Sequence, residues 1–275
     1  VTGGVMNVTT DFSGRTVLVT GGTKGIGFAI ASRFLDCGAD VVVCGRHEPA
    51  ALPSSGGTAG EGGLLGPGAR KATFVACDVR DPAACVDLIE DVIARLGRLD
   101  ILVNNAGGSP SADAATVSPR FVERIVALNL LAPFYVAQPA NKVMQAEETG
   151  GSIINIGSVS GVDPQPGTAA YSASKAGLLT LTKALALEWS PKVRVNHLTV
   201  GLITTEAAAP EYGSDGGAAL SSVIPMGRMA ALSDVTNACL FLASDLACYI
   251  TGADLQVHGG GEVPARYLVT RGGQE

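Results

Sequence analysis

The chain has 275 residues, 47% of them hydrophobic and 16% charged, with a formal net charge of -6. That is apolar enough to fill a large core and too apolar for a disordered chain, and the lack of any Lys/Arg cluster argues against the phosphate-backbone affinity of a nucleic-acid binder. The length fits a single α/β domain, 1–275, built on one continuous sheet. Six cysteines, at 37, 44, 77, 85, 239 and 248, form no C-x-x-C pair and no His/Cys grouping, so no metal site is expected. Several lie in apolar runs, which predicts buried free thiols and a reducing compartment. Residues Val1–Thr10 lack the basic and apolar regions of a secretion signal, and no stretch of eighteen residues is wholly apolar. The expectation is a cytoplasmic protein without a membrane segment.

In chain order, a flexible N-terminus, residues 1–12, precedes a β-branched run, Thr16 to Thr20, that reads as a strand. A glycine turn leads into a helical pattern from Gly25 to Cys37, then a strand, Val41 to Cys44. From Glu48 to Arg70 the chain is crowded with Gly, Ala, Ser and Pro and reads as a loop. Strands at Thr73 to Cys77, Ile101 to Val103, Ser152 to Ile156, Val193 to Leu198 and Leu255 to Val257 alternate with helical patterns at Pro82 to Leu96, Pro119 to Met144, Ala169 to Trp189 and Ser233 to Ala243. Strands apolar on both faces and separated by helices imply a doubly wound, Rossmann-type parallel sheet of about seven strands with helices on both faces. The connection 201–231 is long, apolar and marked by glycines, as expected of a lid over a substrate. A tail, 262–275, follows the last strand.

Two places carry chemistry. The first strand runs straight into Thr20-Gly21-Gly22-Thr23-Lys24-Gly25-Ile26-Gly27 and then a helix. Glycines let the backbone turn tightly and approach a pyrophosphate, and the helix N-terminus offers unpaired N–H groups to the anion. Farther on, Tyr171 and Lys175 stand four apart in a predicted helix and so share a face. A phenol titrates near ~10, and a neighbouring ammonium is expected to lower that value towards the range of a working base.

The turn's spacing resembles the T-G-x-x-x-G-x-G turn of the short-chain dehydrogenase/reductase family in its classical subtype. The resemblance continues in order through Asp78-Val79, Asn104-Asn105-Ala106-Gly107, Asn129, Ser158 and Tyr171-x-x-x-Lys175, covering roughly residues 14 to 260. It implies an oxidoreductase that moves a hydride between a nicotinamide cofactor and a ketone/alcohol pair. Tyr171 would be the acid/base, Ser158 would hold the substrate oxygen, Lys175 would assist Tyr171 and hold the nicotinamide ribose, and Asn129 would complete a proton relay. The cofactor contacts implied are Gly21, Thr23, Lys24, Gly25, Ile26, Gly27, Asp78, Val79, Asn105, Ala106, Gly107, Tyr171, Lys175, Ile203 and Thr205.

Where relatives that prefer NAD carry an acid at the end of the second strand, this chain has Gly45 followed by Arg46. A guanidinium there can grip a 2′-phosphate, with Lys24 as a second charge, so NADP(H) is expected ahead of NAD(H). The chain also has Val200-Gly201 in place of the family's usual Pro-Gly, which predicts a turn less restrained in φ. The lid's apolar character points to a carbonyl substrate with an apolar body, such as a 3-oxoacyl thioester or a steroid. The family's habit and the small residues of the Ala169 to Trp189 helix imply a homotetramer. A catalytically silent NADP(H)-binding sensor or scaffold of the same fold is the alternative.

Overall fold

The computed structural model describes residues 10–56, 69–204 and 217–264. Seven parallel strands form one sheet: β1 (Thr16–Thr20), β2 (Asp40–Gly45), β3 (Thr73–Ala76), β4 (Ile101–Asn104), β5 (Gly151–Ile156), β6 (Val193–Val200) and β7 (Asp254–Val257). Their order is β3-β2-β1-β4-β5-β6-β7. The chain therefore winds outward from β1 in one direction, then returns and winds in the other from β4. The two connections diverge between β1 and β4, leaving a crevice at the carboxyl ends of those strands.

Helices α1 (Gly25–Asp36) and α6 (Leu232–Ala243) cover one face, and α2 (Pro82–Leu96), α4 (Ala132–Ala146) and α5 (Ala169–Trp189) the other. The two-residue period of a strand divides the core between them. Val17 and Val19 pack towards Ile30, Phe34 and Val235, while Leu18 packs with Leu88, Val136 and Ile153 on the opposite side. With both faces covered, the strands are apolar throughout, which is why they read as continuous β-branched runs.

Helix ends follow local chemistry. Asp81 caps α2 by accepting from the Ala83 N–H at 2.9 Å, Pro82 supplies the first helical residue, and Gly97 closes it at φ 77. The helix expected over Pro119 to Met144 is instead three segments: α3 (Pro119–Val126), a π turn (Ala127–Leu131) and α4. Pro133 has no N–H to donate, and its ring crowds the carbonyl four residues back, that of Asn129; widening the turn relieves both. By length and composition this run could cross a bilayer. Here Ala132, Val136, Ala140 and Met144 pack it on the sheet.

β6 runs two residues past its expected end, because Thr199 and Val200 pair with Gln256 and Val257. Of the N-terminal segment expected to be flexible, residues 1–9 lie outside the described residues, and Phe12 packs edge-on against Phe34 with ring centroids 5.0 Å apart. The ends of the Gly-rich loop after β2 are pinned by an antiparallel bridge between Ser54 and Lys71; residues 57–68 lie outside the described set.

A chain of buried amides ties the sheet to the helices of one layer. Asn155 Oδ1 accepts from Asn104 Nδ2 at 2.9 Å, and Asn155 Nδ2 donates to Thr182 Oγ1 at 2.9 Å. Asn104 Nδ2 also donates to the Pro133 carbonyl. Replacing Asn155→Ala removes the centre of this chain and strips a buried donor of one acceptor. We expect a loss of about 1–3 kcal/mol in unfolding free energy, read as a lower denaturant midpoint at unchanged m-value.

Candidate active site

The turn after β1 is tight and leaves helix donors uncapped. Gly21 and Gly25 take φ +63 and +55, a region that favours glycine, and a Cβ on Gly27 would overlap the Gly21 carbonyl and Asn105 Nδ2. Asn105 braces the turn, Nδ2 donating to the Thr20 carbonyl at 3.0 Å and the Gly21 carbonyl at 3.2 Å. Helix α1 begins at Gly25 with no side chain capping its N–H groups and no acid in its first turn. Free donors at the positive end of the helix macrodipole fit a pyrophosphate.

A cavity of about 940 Å³ runs from this turn to Ser158, Tyr171 and Lys175. Its size is within the range of small-molecule sites, roughly 300–1,000 Å³. Gly21, Thr23, Lys24, Gly25, Ile26, Asn105, Gly107 and Ile203 also line it, as do Phe28, Pro49, Ala50, Ala51, Val200 and Leu232. The last group was not foreseen: Pro49 to Ala51 belong to a loop whose composition showed only irregular structure. A second cavity of about 510 Å³ opens at the amino ends of the strands. Its Arg15, Lys192 and Arg194 all donate to internal partners, and it holds none of these groups.

Other predicted contacts stand elsewhere. Val79 is buried in the core. Both Asp78 oxygens are taken by Arg80, the Nε–Oδ1 distance being 2.9 Å. Ala106 N–H and Asn105 N–H both donate to Thr20 Oγ1 at 3.0 Å. Arg46 is exposed just past β2 and forms no ion pair among the described residues, although its charge helps to hold Asp78 below the usual carboxylate range. Thr205 lies outside the described residues, as does the middle of the proposed lid, 205–216.

Lys175 is buried, and its Nζ donates to the Ile156 carbonyl, the last of β5, at 2.7 Å. Burial alone pulls it down to about 8. The ammonium sits 5.7 Å from the centre of the Tyr171 ring. The expected lowering of Tyr171 by this charge does not dominate: burial raises the phenol, and a hydrogen bond with Ser158 opposes the rise. Desolvation works against both charged forms here, so each residue is biased towards neutrality.

Asn129 is fully buried, and the π turn aims its amide at the Gly107-Gly108 segment. Oδ1 accepts from Gly108 N–H at 2.9 Å, while Nδ2 donates to the Gly108 carbonyl at 3.0 Å and to the Ile125 carbonyl at 2.9 Å. A Cβ on Gly107 would stand 2.8 Å from Asn129 Oδ1 and 3.3 Å from Lys175 Nζ, so only glycine lets these groups converge. The Val200-Gly201 turn is better held than the missing proline implied. Gly201 N–H donates to the Val257 carbonyl at 3.0 Å, and Ala230 N–H to the Leu202 carbonyl at 2.9 Å. Backbone pairing supplies the restraint.

Residues 21–262 match the family model described as "Enoyl-(Acyl carrier protein) reductase". The chain belongs to the short-chain dehydrogenase/reductase family. Members act on CH–OH/C=O pairs with a nicotinamide cofactor. It is 36% identical over 258 residues to D-threitol dehydrogenase of Mycolicibacterium smegmatis, covering 93% of this chain and 96% of that one. It is 38% identical over 248 residues to 3alpha-hydroxysteroid dehydrogenase of Mediterraneibacter gnavus, covering 89% and 96%. The solved structure of Thermoplasma acidophilum aldohexose dehydrogenase superposes with a TM-score of 0.79 at 32% identity, covering 92% of this chain and 94% of that one.

The buried ammonium has a measurable cost. On unfolding, Lys175 returns from about 8 to 10.5. As pH falls from 10.5 to 8 the unfolded chain takes up this proton and the folded chain does not, so stability drops through that window and is constant with respect to this group below it. The difference amounts to about 3 kcal/mol, less about 1 kcal/mol for the hydrogen bond to Ile156. Lys175→Met is therefore expected to be more stable than the parent at pH 7, by about 1–3 kcal/mol in chemical denaturation. A less stable variant would mean that the Lys175 contacts outweigh its desolvation.

Proposed function

We propose that the chain interconverts a ketone and a secondary alcohol, with Tyr171 as the acid/base and NADP(H) as the preferred cofactor. The observation that carries this reading is that Ser158, Tyr171 and Lys175 line the same cavity as the glycine turn. When bound, the nicotinamide supplies the hydride for reduction or accepts it in oxidation. Tyr171 donates its phenolic proton to the carbonyl oxygen as reduction proceeds, or withdraws one from the alcohol in reverse. A phenol kept protonated by burial suits the donor role. Ser158 hydrogen-bonds the same oxygen and steadies charge developing on it. Lys175 stabilises the phenolate left behind and would hold the nicotinamide ribose hydroxyls. Asn129 fixes the Gly107-Gly108 wall and stands beside Lys175 in the proposed relay.

The preference for NADP(H) rests on charge. A Cβ on Gly45 would lie 3.3 Å from Thr23 Cγ2, so a large acid there would press on the glycine turn. Asp78 is already paired with Arg80, which leaves Arg46 and Lys24 as the cations open to a 2′-phosphate. Pro49 to Ala51, Phe28, Val200 and Leu232 give the cavity an apolar wall, and among the described residues its ionisable side chains are Lys24, Tyr171 and Lys175, none of them acidic. This favours a carbonyl with an apolar body, such as a 3-oxoacyl thioester or a steroid ketone. Residues 201–231 serve as the lid, and the enzyme acts as a cytoplasmic homotetramer without nucleic-acid or membrane partners.

Cofactor fluorescence and turnover test the reading together. NADPH is expected to bind at least tenfold tighter than NADH, about 1.4 kcal/mol, and Arg46→Ala to erase the difference. Tyr171→Phe is expected to lower kcat by about 10²–10⁴ with NADPH binding intact. Tighter NADH binding would overturn the cofactor preference. Failure of both nucleotides to bind, or full turnover by Tyr171→Phe, would overturn the mechanism.

A further inference from the structure

His197 has no part in the roles assigned above, yet it touches the segment that carries them. It stands on β6, opposite Asn155 of β5 and Asp254 of β7 in the strand register. Strand alternation puts its side chain on the same sheet face as Asn155, Gly157, Thr199 and Asp254. The ring is 2% exposed. Its Nδ1 lies 2.8 Å from Asp254 Oδ1, an oxygen that also accepts from Thr199 Oγ1 at 2.7 Å. A carboxylate only accepts, so Nδ1 carries the proton. Nε2 is then a buried acceptor, and no donor reaches it among the described residues. Burial also holds the ring below its ordinary value, and the charges of Lys175 and Lys183 act in the same direction against the pull of Asp254.

An unpaired buried acceptor calls for an explanation in what it faces. The Cε1–Nε2 edge faces Gly157 so closely that a Cβ there would overlap the ring. Gly157 lies between the Ile156 carbonyl, which accepts from Lys175 Nζ, and Ser158. Its N–H donates to the Leu198 carbonyl at 2.8 Å, which fixes the segment within the sheet but not against tilting out of it. Glycine is the residue with most freedom to tilt. The ring needs a glycine in front of it, and the glycine needs a stop behind it.

We infer that His197 is a positioning residue for the reaction: braced from behind by Asp254 and Thr199, its ring is the stop on which Gly157 rests, and it thereby sets the heights of the Ile156 carbonyl and the Ser158 hydroxyl. The inference rests on the function proposed for Ser158, Tyr171 and Lys175. A displacement of these groups by a fraction of an ångström changes rate more than affinity, since the chemistry depends on alignment.

The test uses His197→Asn, whose amide nitrogen can still donate to Asp254 while the edge against Gly157 is gone. The expected result is a kcat at least tenfold lower, with KM moved less than threefold and the NADPH dissociation constant less than twofold. Gly157→Ala alone is expected to cost at least as much. The double variant, in which the new methyl occupies the vacated space, is expected to recover kcat at least fivefold over His197→Asn. A single variant that fails to fold while the double variant folds would report the same coupling. A kcat within twofold of the parent for His197→Asn, additive effects in the double variant, or failure of all three to fold would each overturn the inference. Tyr171→Phe, measured alongside, separates the two proposals. Its full activity would overturn the proposed function, whereas an inactive Tyr171→Phe beside a fully active His197→Asn would overturn only the role of His197.

Discussion

The hydrogen bond from Lys175 Nζ to the Ile156 carbonyl is the constraint on which the rest of the site turns. It places an ammonium inside the protein, where the charged form is penalised, and holds it to the last carbonyl of β5. Everything close to that bond must either tolerate the charge or stay small. Gly107 leaves room for Nζ beside Asn129, and a Cβ on Gly161 would come within 3.1 Å of Lys175 Cβ. Tyr171, one helical turn before Lys175, is thereby brought to the cavity end that Ser158 borders. A side chain that sacrifices stability to occupy this position is what a functional site looks like in energetic terms.

The sheet makes such an arrangement possible because parallel strands present their carboxyl ends together. The winding reverses between β1 and β4, so the glycine turn after β1 and the Asn105 to Gly108 stretch after β4 meet there, side by side along the cavity. Asn105 joins them through its hydrogen bonds to Thr20 and Gly21. The crevice is thus braced by the protein's own amides, and the N–H groups at the start of α1 are left without side-chain caps. An acid in the first turn of α1 would satisfy the helix dipole locally and weaken its attraction for phosphate.

Much of this was legible in the sequence because it depends on local rules. Five of the strands, β1, β2, β4, β5 and β6, end in or just before a Gly or Asn, and α2 keeps both predicted ends because Asp81, Pro82 and Gly97 are unambiguous caps. Tyr171, Lys175 and Ser158 share a cavity because a helix spacing and a strand end fix them relative to the sheet. The rest depends on choices among neighbours and on burial, which periodicity and composition do not record. The π turn at Asn129 follows from Pro133 acting on the preceding turn. The claim of Arg80 on Asp78 is a choice between partners that composition does not reveal. The wall formed by Pro49 to Ala51 belongs to a loop with no periodicity to read. The rise of the phenol of Tyr171 reflects burial, and burial is a property of the fold.

Asn129 shows how a departure from regular structure can improve a site. In an unbroken α-helix, the crowding of Pro133 would fall on the carbonyl of Asn129, and the amide would not be turned outward by the wider π turn. The bulge instead lets one side chain donate to and accept from Gly108 while also bonding Ile125. Two successive glycines, which would otherwise be the loosest part of the cavity wall, are held by a fully buried amide on a helix packed against the sheet. His197 beneath Gly157 follows the same logic on the other side of Lys175. At both places a glycine makes room for the converging polar groups, and the mobility it introduces is countered by a rigid side chain from a neighbouring element. The site is therefore ordered by its surroundings, with little demanded of its own backbone.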